Sequence, residues 1–464
     1  MTGQKGFSSG SRLTRMDDRT RRELLASGVA VGTAGLAGCS TSEETDTPET
    51  TDAGTATRTV TEPDYDTGLT HDATAWEGYD AEWTAPATNP EGEYETELLV
   101  ENLEIPWDLS FAGEKLFITE RTGRVRVYDS GTVSDIAAPQ DAIDAGSLEP
   151  GSDDSSWFVD GGEGGTMGVA AHPGYPEPPL VYVYYTATTD DGIENRLAYL
   201  DASAENPAAN SKTLLSTPAS SVHNGGRITF GPANYLWVTT GDIGEGALAA
   251  DSSSLAGKIL RLTPEGEPAP DNPGFDAPEV YTMGHRNPQG IDWLPTATPI
   301  INEHGPGPDE VSRLVAGGDY GWPTARRADA YTGSDYRRPL ASGAVAGTTW
   351  APSGSTFYAG DVEPLAGRYL VGALASQQLV AFTLTREGEG PPLGETGVRY
   401  DADWLGEGYR ATSHTLLTDE LGRIRHLEAG PDGALYAITS NRDGRASEGF
   451  PRERDDVLVR ITAA

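Results

Sequence analysis

One stretch of the chain places a titratable ring before a strand and a carboxylate after it. It runs His223-Asn-Gly-Gly-Arg227-Ile-Thr-Phe, then a turn at Gly231-Pro-Ala-Asn234, then Tyr235-Leu-Trp-Val-Thr-Thr and Gly241-Asp242. The aromatic and β-branched run from Tyr235 suits a pleated strand, and the Gly-Pro and Gly-Asp pairs are turn signals. If Arg227–Phe230 pairs antiparallel to that run, His223 and Asp242 meet at one end of the sheet. A carboxylate on one ring nitrogen fixes the tautomer and raises the basicity of the other nitrogen, as a general base requires. The same residues would also serve a plainer role, a rim histidine capping a turn, and the rest of the chain has to decide between the two.

The elements that must position this pair follow a repeated theme. Lys115-Leu-Phe-Ile-Thr-Glu, Leu180-Val-Tyr-Val-Tyr-Tyr, Tyr235-Leu-Trp-Val-Thr-Thr, Pro299-Ile-Ile-Asn-Glu, Arg368-Tyr-Leu-Val-Gly-Ala and Ala434-Leu-Tyr-Ala-Ile-Thr are variants of one strand. They recur every ~55–70 residues, room for one four-stranded sheet with its loops, and radial repetition of such sheets is how a propeller avoids long exposed edges. The expected fold is therefore all-β, a six-bladed β-propeller of four-stranded antiparallel blades. Several of these strands end in polar residues on the same side, among them Asp242 and Glu303-His304-Gly305-Pro306, so one rim collects the chemistry.

The chain has 464 residues, 57 of them glycine and 32 proline, and 71 Asp and Glu against 33 Lys and Arg give a net charge of -38. Nucleic acid is excluded as a partner by that sign. Acidity combined with strands rich in apolar and aromatic residues argues against disorder and points to a halophile, where concentrated salt screens the charge.

The N-terminus reads as an address. Thr20-Arg21-Arg22-Glu-Leu24-Leu25 is a twin-arginine pattern, and Leu36-Ala-Gly-Cys39 resembles a lipobox whose cysteine would take a lipid. The apolar run between them is too short for a transmembrane helix. Cys39 is the sole cysteine, so no intramolecular disulfide forms. The expected organisation is a signal peptide over 1–38, an acidic Thr/Glu/Asp/Pro-rich tether over 39–90, and a catalytic propeller over 91–464, held at the extracellular face of the membrane.

Further motifs resemble the PQQ-dependent soluble sugar dehydrogenases, the glucose/sorbosone and aldose sugar dehydrogenase group, from about Leu98 to Ile461. They include Ile105-Pro-Trp-Asp-Leu, Thr119-Glu-Arg-Thr-Gly-Arg, Gly162-Glu-Gly-Gly-Thr-Met-Gly, Leu255-Ala-Gly-Lys, Gly284-His-Arg-Asn-Pro-Gln-Gly290, Glu303-His-Gly-Pro, Gly318-Asp-Tyr-Gly-Trp-Pro and Gly422-Arg-Ile-Arg425. The resemblance implies oxidation of the C1 hydroxyl of an aldose to a lactone, with PQQ and Ca²⁺ as cofactors and an electron acceptor that the sequence does not name. It makes His223 the general base, oriented by Asp242, and puts Arg286 beside the quinone oxygen with Asn287 as a further cofactor contact. Arg423 and Arg425 look like clamps for the PQQ carboxylates, and Glu163 aligns with a cofactor-contacting position that would need a cation nearby. Calcium would sit on backbone carbonyls at Gly305 and Pro306, and a second, structural calcium at Glu310 and Tyr320, the tyrosine through its carbonyl. The chain departs from the pattern at Val222, where some relatives have an acid, at Ala375, where some have a lysine, and at Ser440, where an acid is common. The histidines lack the short helical spacing of a zinc site. Two rival readings are a calcium-dependent lactonase-like hydrolase, disfavoured because a neutral lactone needs no arginine clamp, and a non-catalytic cell-surface propeller that binds a sugar or a partner.

Overall fold

The computed structural model describes residues 68–137, 139–143, 162–386 and 388–464. The expected signal peptide, Cys39 and the first part of the tether lie outside these residues.

Six antiparallel sheets follow one another around a ring. The first blade comprises Pro106–Ala112, Lys115–Glu120, Arg124–Asp129 and Thr132–Ala137. The third comprises Ile228–Phe230, Leu236–Thr239, Lys258–Leu262 and Val280–Met283. Each strand of the repeated theme is the second strand of its sheet: Lys115–Glu120, Leu180–Thr189, Leu236–Thr239, Thr298–Glu303, Arg368–Ala373 and Leu435–Thr439. These strands are apolar almost without alternation because neighbouring blades cover both faces; the first eight residues of Leu180–Thr189 are all buried. The apolar core accordingly lies between sheets, as where Trp107, Met167, Tyr182, Ile228 and Leu236 pack as one cluster.

Two details depart from a plain six-fold repeat. The fifth sheet gains an outer strand, Val398–Tyr400, beside Arg410–Leu416. The sixth is assembled from both ends of the domain: Tyr94–Val100 pairs with Leu458–Ala463, with Tyr94 opposite Ala463 and Leu98 opposite Val459. That pairing closes the ring and removes an edge.

Residues 68–90, expected within the tether, lie against the propeller. His71 stacks on Tyr235 at 4.2 Å, Trp83 meets Phe357 edge-on at 5.5 Å, and Trp76 packs on the cluster of Trp237 and Trp293. Two tryptophans carry enough apolar area to hold a segment that its composition otherwise marks as solvated. Among the described residues no helix is long and apolar enough to cross a membrane.

The innermost strands matter most for function. On blades four to six the N-terminal part of this strand faces one chamber of the channel (Gln289, Pro352, Arg425) and its later residues face another (Asp292, Thr356, Glu428).

Candidate active site

The hairpin forms in the expected register, with Ile228 opposite Val238 and Phe230 opposite Leu236. Asn234, at a φ of 55°, donates its amide to the Gly231 carbonyl at 2.8 Å to make the turn. His223 and Asp242 therefore meet, Nδ1 to Oδ1 at 2.7 Å. The same carboxylate accepts the Gly244 amide at 2.9 Å and the Trp322 indole N–H at 2.7 Å. Burial works to raise its pKa, but these hydrogen bonds, led by that from His223, outweigh burial and hold it below the usual carboxylate value. Asp242 is thus ionised and keeps the Nδ1 proton in place. His223 Nε2 makes no hydrogen bond among the described residues, and the side chain keeps 16% of its surface, so this nitrogen opens to solvent.

His223 adopts a left-handed backbone, φ 53°, which a non-glycine residue holds only when its surroundings impose it. The restraints are visible. Its amide donates to Glu163 Oε2 at 2.8 Å, and its carbonyl accepts from Ile243 at 3.2 Å. Gly241 lies so close to that carbonyl that a Cβ would collide with it.

Arg286 and Asn287 arrive from the loop ahead of the fourth blade. Asp242 donates its amide to the Arg286 carbonyl at 2.7 Å, and Asn287 Oδ1 accepts from Gly225 at 3.0 Å, so both are tied to the histidine hairpin. The Arg286 guanidinium donates to the His304 carbonyl at 2.9 Å and lies 5.7 Å from the Trp322 ring.

Beside this group opens a chamber of about 250 Å³, lined by Arg121, Arg423, Arg425 and Arg445 with Glu163, Asn287 and His304 among the other residues. Arg423 donates to Asp443 at 2.8 Å, and Arg425 stands 3.5 Å from the same carboxylate. Burial pushes the Arg425 guanidinium down to about 9; Asp443 opposes this, while Arg121, Arg423 and Arg227 reinforce it. Arg425 Nε is buried without a partner. Glu163 is neutralised as expected, by Arg445 at 3.0 Å. Four guanidiniums against Glu163 and Asp443 leave a positive excess in a protein of net charge -38, so the chamber suits an anion with more than one carboxylate.

No described residue donates to the carbonyls of Gly305 or Pro306, which follow His304 of the chamber wall; backbone oxygens are hard ligands of the kind calcium takes. The Glu310 carboxylate is paired with Arg326 and takes a hydrogen bond from the Tyr331 hydroxyl at 3.0 Å, while the Tyr320 hydroxyl donates to the Arg313 carbonyl at 2.6 Å.

Sequence reasoning passed over Arg121, Trp322, Arg326 and Asp443. Arg121 and Trp322 stood inside the motifs noted above, where they carried no assigned role. Asp443 replaces the acid missing at Ser440, whose hydroxyl donates to it at 3.1 Å. Ala375, the other departure on the chamber wall, leaves that position uncharged.

Fold and site together define a β-propeller with a carboxylate-held histidine next to an anion-receptive chamber. Residues 103–448 match the family model described as Glucose / Sorbosone dehydrogenase, and the chain belongs to that family. It is similar to an aldose sugar dehydrogenase of Escherichia coli K12, 29% identical over 395 residues, covering 80% of this chain and 95% of that one. Quinoprotein glucose dehydrogenase B of Acinetobacter calcoaceticus is 30% identical over 266 residues, 50% of this chain and 52% of that. The PQQ-bound aldose sugar dehydrogenase of Streptomyces coelicolor shares the fold with a TM-score of 0.63 at 27% identity, covering 82% of this chain and 99% of that.

Proposed function

We propose that the protein oxidises the C1 hydroxyl of aldose sugars to lactones, using PQQ and calcium. The carrying observation is His223, pinned through Nδ1 to Asp242 with its other ring nitrogen open, next to a chamber lined by four arginines. PQQ bears three carboxylates, and the guanidinium excess, with one buried N–H of Arg425 lacking a partner, suits it. PQQ when bound supplies the acceptor for a hydride. Arg423 and Arg425, with Arg121, would hold its carboxylates, and Asn287 and the Arg445-paired Glu163 would line its edge. Gly305 and Pro306 would give carbonyl oxygens to calcium.

The chain's own part is proton handling. With the sugar over His223, Nε2 takes the C1 hydroxyl proton as the C1–H bond breaks and its electron pair leaves as hydride. Without that base the product would be a protonated carbonyl. The ionised Asp242 stabilises the imidazolium that results. Arg286 would stand near where negative charge develops at the acceptor, and a guanidinium stays charged throughout.

Location belongs to the same proposal: the twin-arginine pattern and Cys39 support a lipid anchor outside the membrane, and the acidic composition supports a salt-rich milieu. A diacylglycerol on Cys39 in the mass spectrum, and release of a Cys39→Ala variant into the medium, are expected; an unmodified Cys39 in mature protein would refute the anchor.

The catalytic reading is tested by titrating PQQ into the purified protein with Ca²⁺ in concentrated salt, then adding an aldose while following the quinone absorbance. Stoichiometric binding followed by reduction is expected. Absence of binding at micromolar PQQ would overturn the proposal.

A further inference from the structure

Past Gln289 and Arg425 the inner strands enclose a second chamber of about 230 Å³. Its polar wall holds Asp108, Arg227, Asp292, His426 and Glu428, and its apolar wall holds Trp76, Phe230 and Trp293. None of these residues lines the chamber described above.

Hydrogen-bonding capacity in this wall is left unused. Arg227 pairs with Asp108 through Nη1 and donates Nε to the Gln289 carbonyl at 2.9 Å, yet its Nη2 is buried with no partner. His426 Nδ1 is likewise buried and unpartnered. Both atoms lie packed against Gly354, where a Cβ would collide with them. A buried polar group without a partner is costly, and a native structure supplies water or ligand to it. On the acceptor side, Glu428 takes no hydrogen bond from any described residue; its nearest cation is His426 Nε2 at 3.4 Å. Asp292 accepts the Trp293 and Phe357 amides at 2.7 and 2.6 Å and retains lone pairs.

The chemistry of an occupant follows. An anion would meet three carboxylates. A metal ion would lack its cage, since no group of three carboxylate, imidazole or thiol ligands is close enough among the described residues. Burial pushes Asp108 and Asp292 up to about 6, raises Glu428 well above the carboxylate range and drives His426 well below the imidazole range, so each is moved toward its uncharged form. Glu428 keeps 29% of its side-chain surface open and lines the chamber. A neutral molecule bearing hydroxyls, which both donate and accept, matches this wall, with aromatic rings to cover its carbon face.

We propose that this second chamber binds a small neutral polyol, through Glu428 and Asp292, against Trp76 and Trp293. The site is independent of the quinone reading. It is tested by titrating glycerol and myo-inositol, neither of which has an anomeric hydroxyl, into the full chain in concentrated salt, with calorimetry and tryptophan fluorescence. Saturable millimolar binding is expected, weakened about tenfold by Glu428→Leu. Trp76→Ala, at the half-buried edge, should weaken it similarly, whereas His223→Gln and Arg425→Ala should leave it unchanged. No saturation by ~100 mM polyol, a signal that follows NaCl alone, or binding unaffected by both Glu428→Leu and Trp76→Ala would each overturn the proposal.

Discussion

At the rim chamber four arginines face Glu163, with Asp443 behind them; at the far chamber three carboxylates share one arginine. Both are walled by the same inner strands, a few residues apart. The rim carboxylates Asp242, Asp443 and Glu163 are held below their ordinary pKa, burial being outweighed by donors and guanidiniums. The far carboxylates Asp108, Asp292 and Glu428 are raised, because burial wins: Arg227 opposes it at Asp108 and Glu428, and at Asp292 only hydrogen bonds do. Position along the channel thus separates an end built to accept charge from an end built to avoid it, in a protein whose total charge would predict neither.

Removing a cation should expose this contrast. Arg227→Leu leaves Asp108 buried without its partner, and a loss of about 3–5 kcal/mol in denaturant unfolding is expected; a loss under ~1 kcal/mol would mean that the pair is solvated like a surface ion pair. At the rim, Arg425→Ala retains the Arg423–Asp443 bond, so the fold should survive while PQQ affinity falls by about two to three orders of magnitude. An unchanged dissociation constant would take the clamp role from Arg425.

Asp242→Asn keeps the shape of the histidine site but no longer enforces the Nδ1–H tautomer. The rate of sugar oxidation should drop about 10- to 100-fold with PQQ binding unaltered. Equal effects on binding and rate would instead indicate a collapsed loop.

The smallest effect concerns pH. A carboxyl whose folded pKa is raised contributes stability that is lost as pH rises from the ordinary carboxylate range through the folded value, about 6 for Asp292. Wild-type stability should therefore fall relative to Asp292→Asn over that interval. The rim carboxylates, with lowered values, contribute the opposite slope, lost as pH falls through the carboxylate range. Parallel pH profiles for wild type and Asp292→Asn would remove the contrast.

How much of this was legible in the sequence depended on how local each relation is. The blade count and the His223–Asp242 encounter followed from short turns and a hairpin whose register the Gly231–Asn234 turn sets. Arg121 and Trp322 sat in recognised motifs, but what they face depends on the ring being closed by Tyr94–Val100 against Leu458–Ala463. The ion pair of Glu310 was not legible because nothing nearby in the chain announces that Arg326 folds back onto it. Asp443 was missed for a related reason: the acid expected near Ser440 is delivered three residues later, by a loop rather than by the strand. The contacts of residues 68–90 were not legible because a Thr- and Glu-rich composition masks what Trp76 and Trp83 do once a propeller wall is there to receive them.

The most direct test of the rim site as a place of proton abstraction is a single-turnover measurement. Wild type and His223→Gln are loaded to the same PQQ occupancy with Ca²⁺, mixed with excess aldose, and quinone reduction is followed. Matched occupancy with a rate lower by about two to four orders of magnitude in His223→Gln is the expected result. Equal rates at equal occupancy would contradict His223 as the base, however well Asp242 holds it.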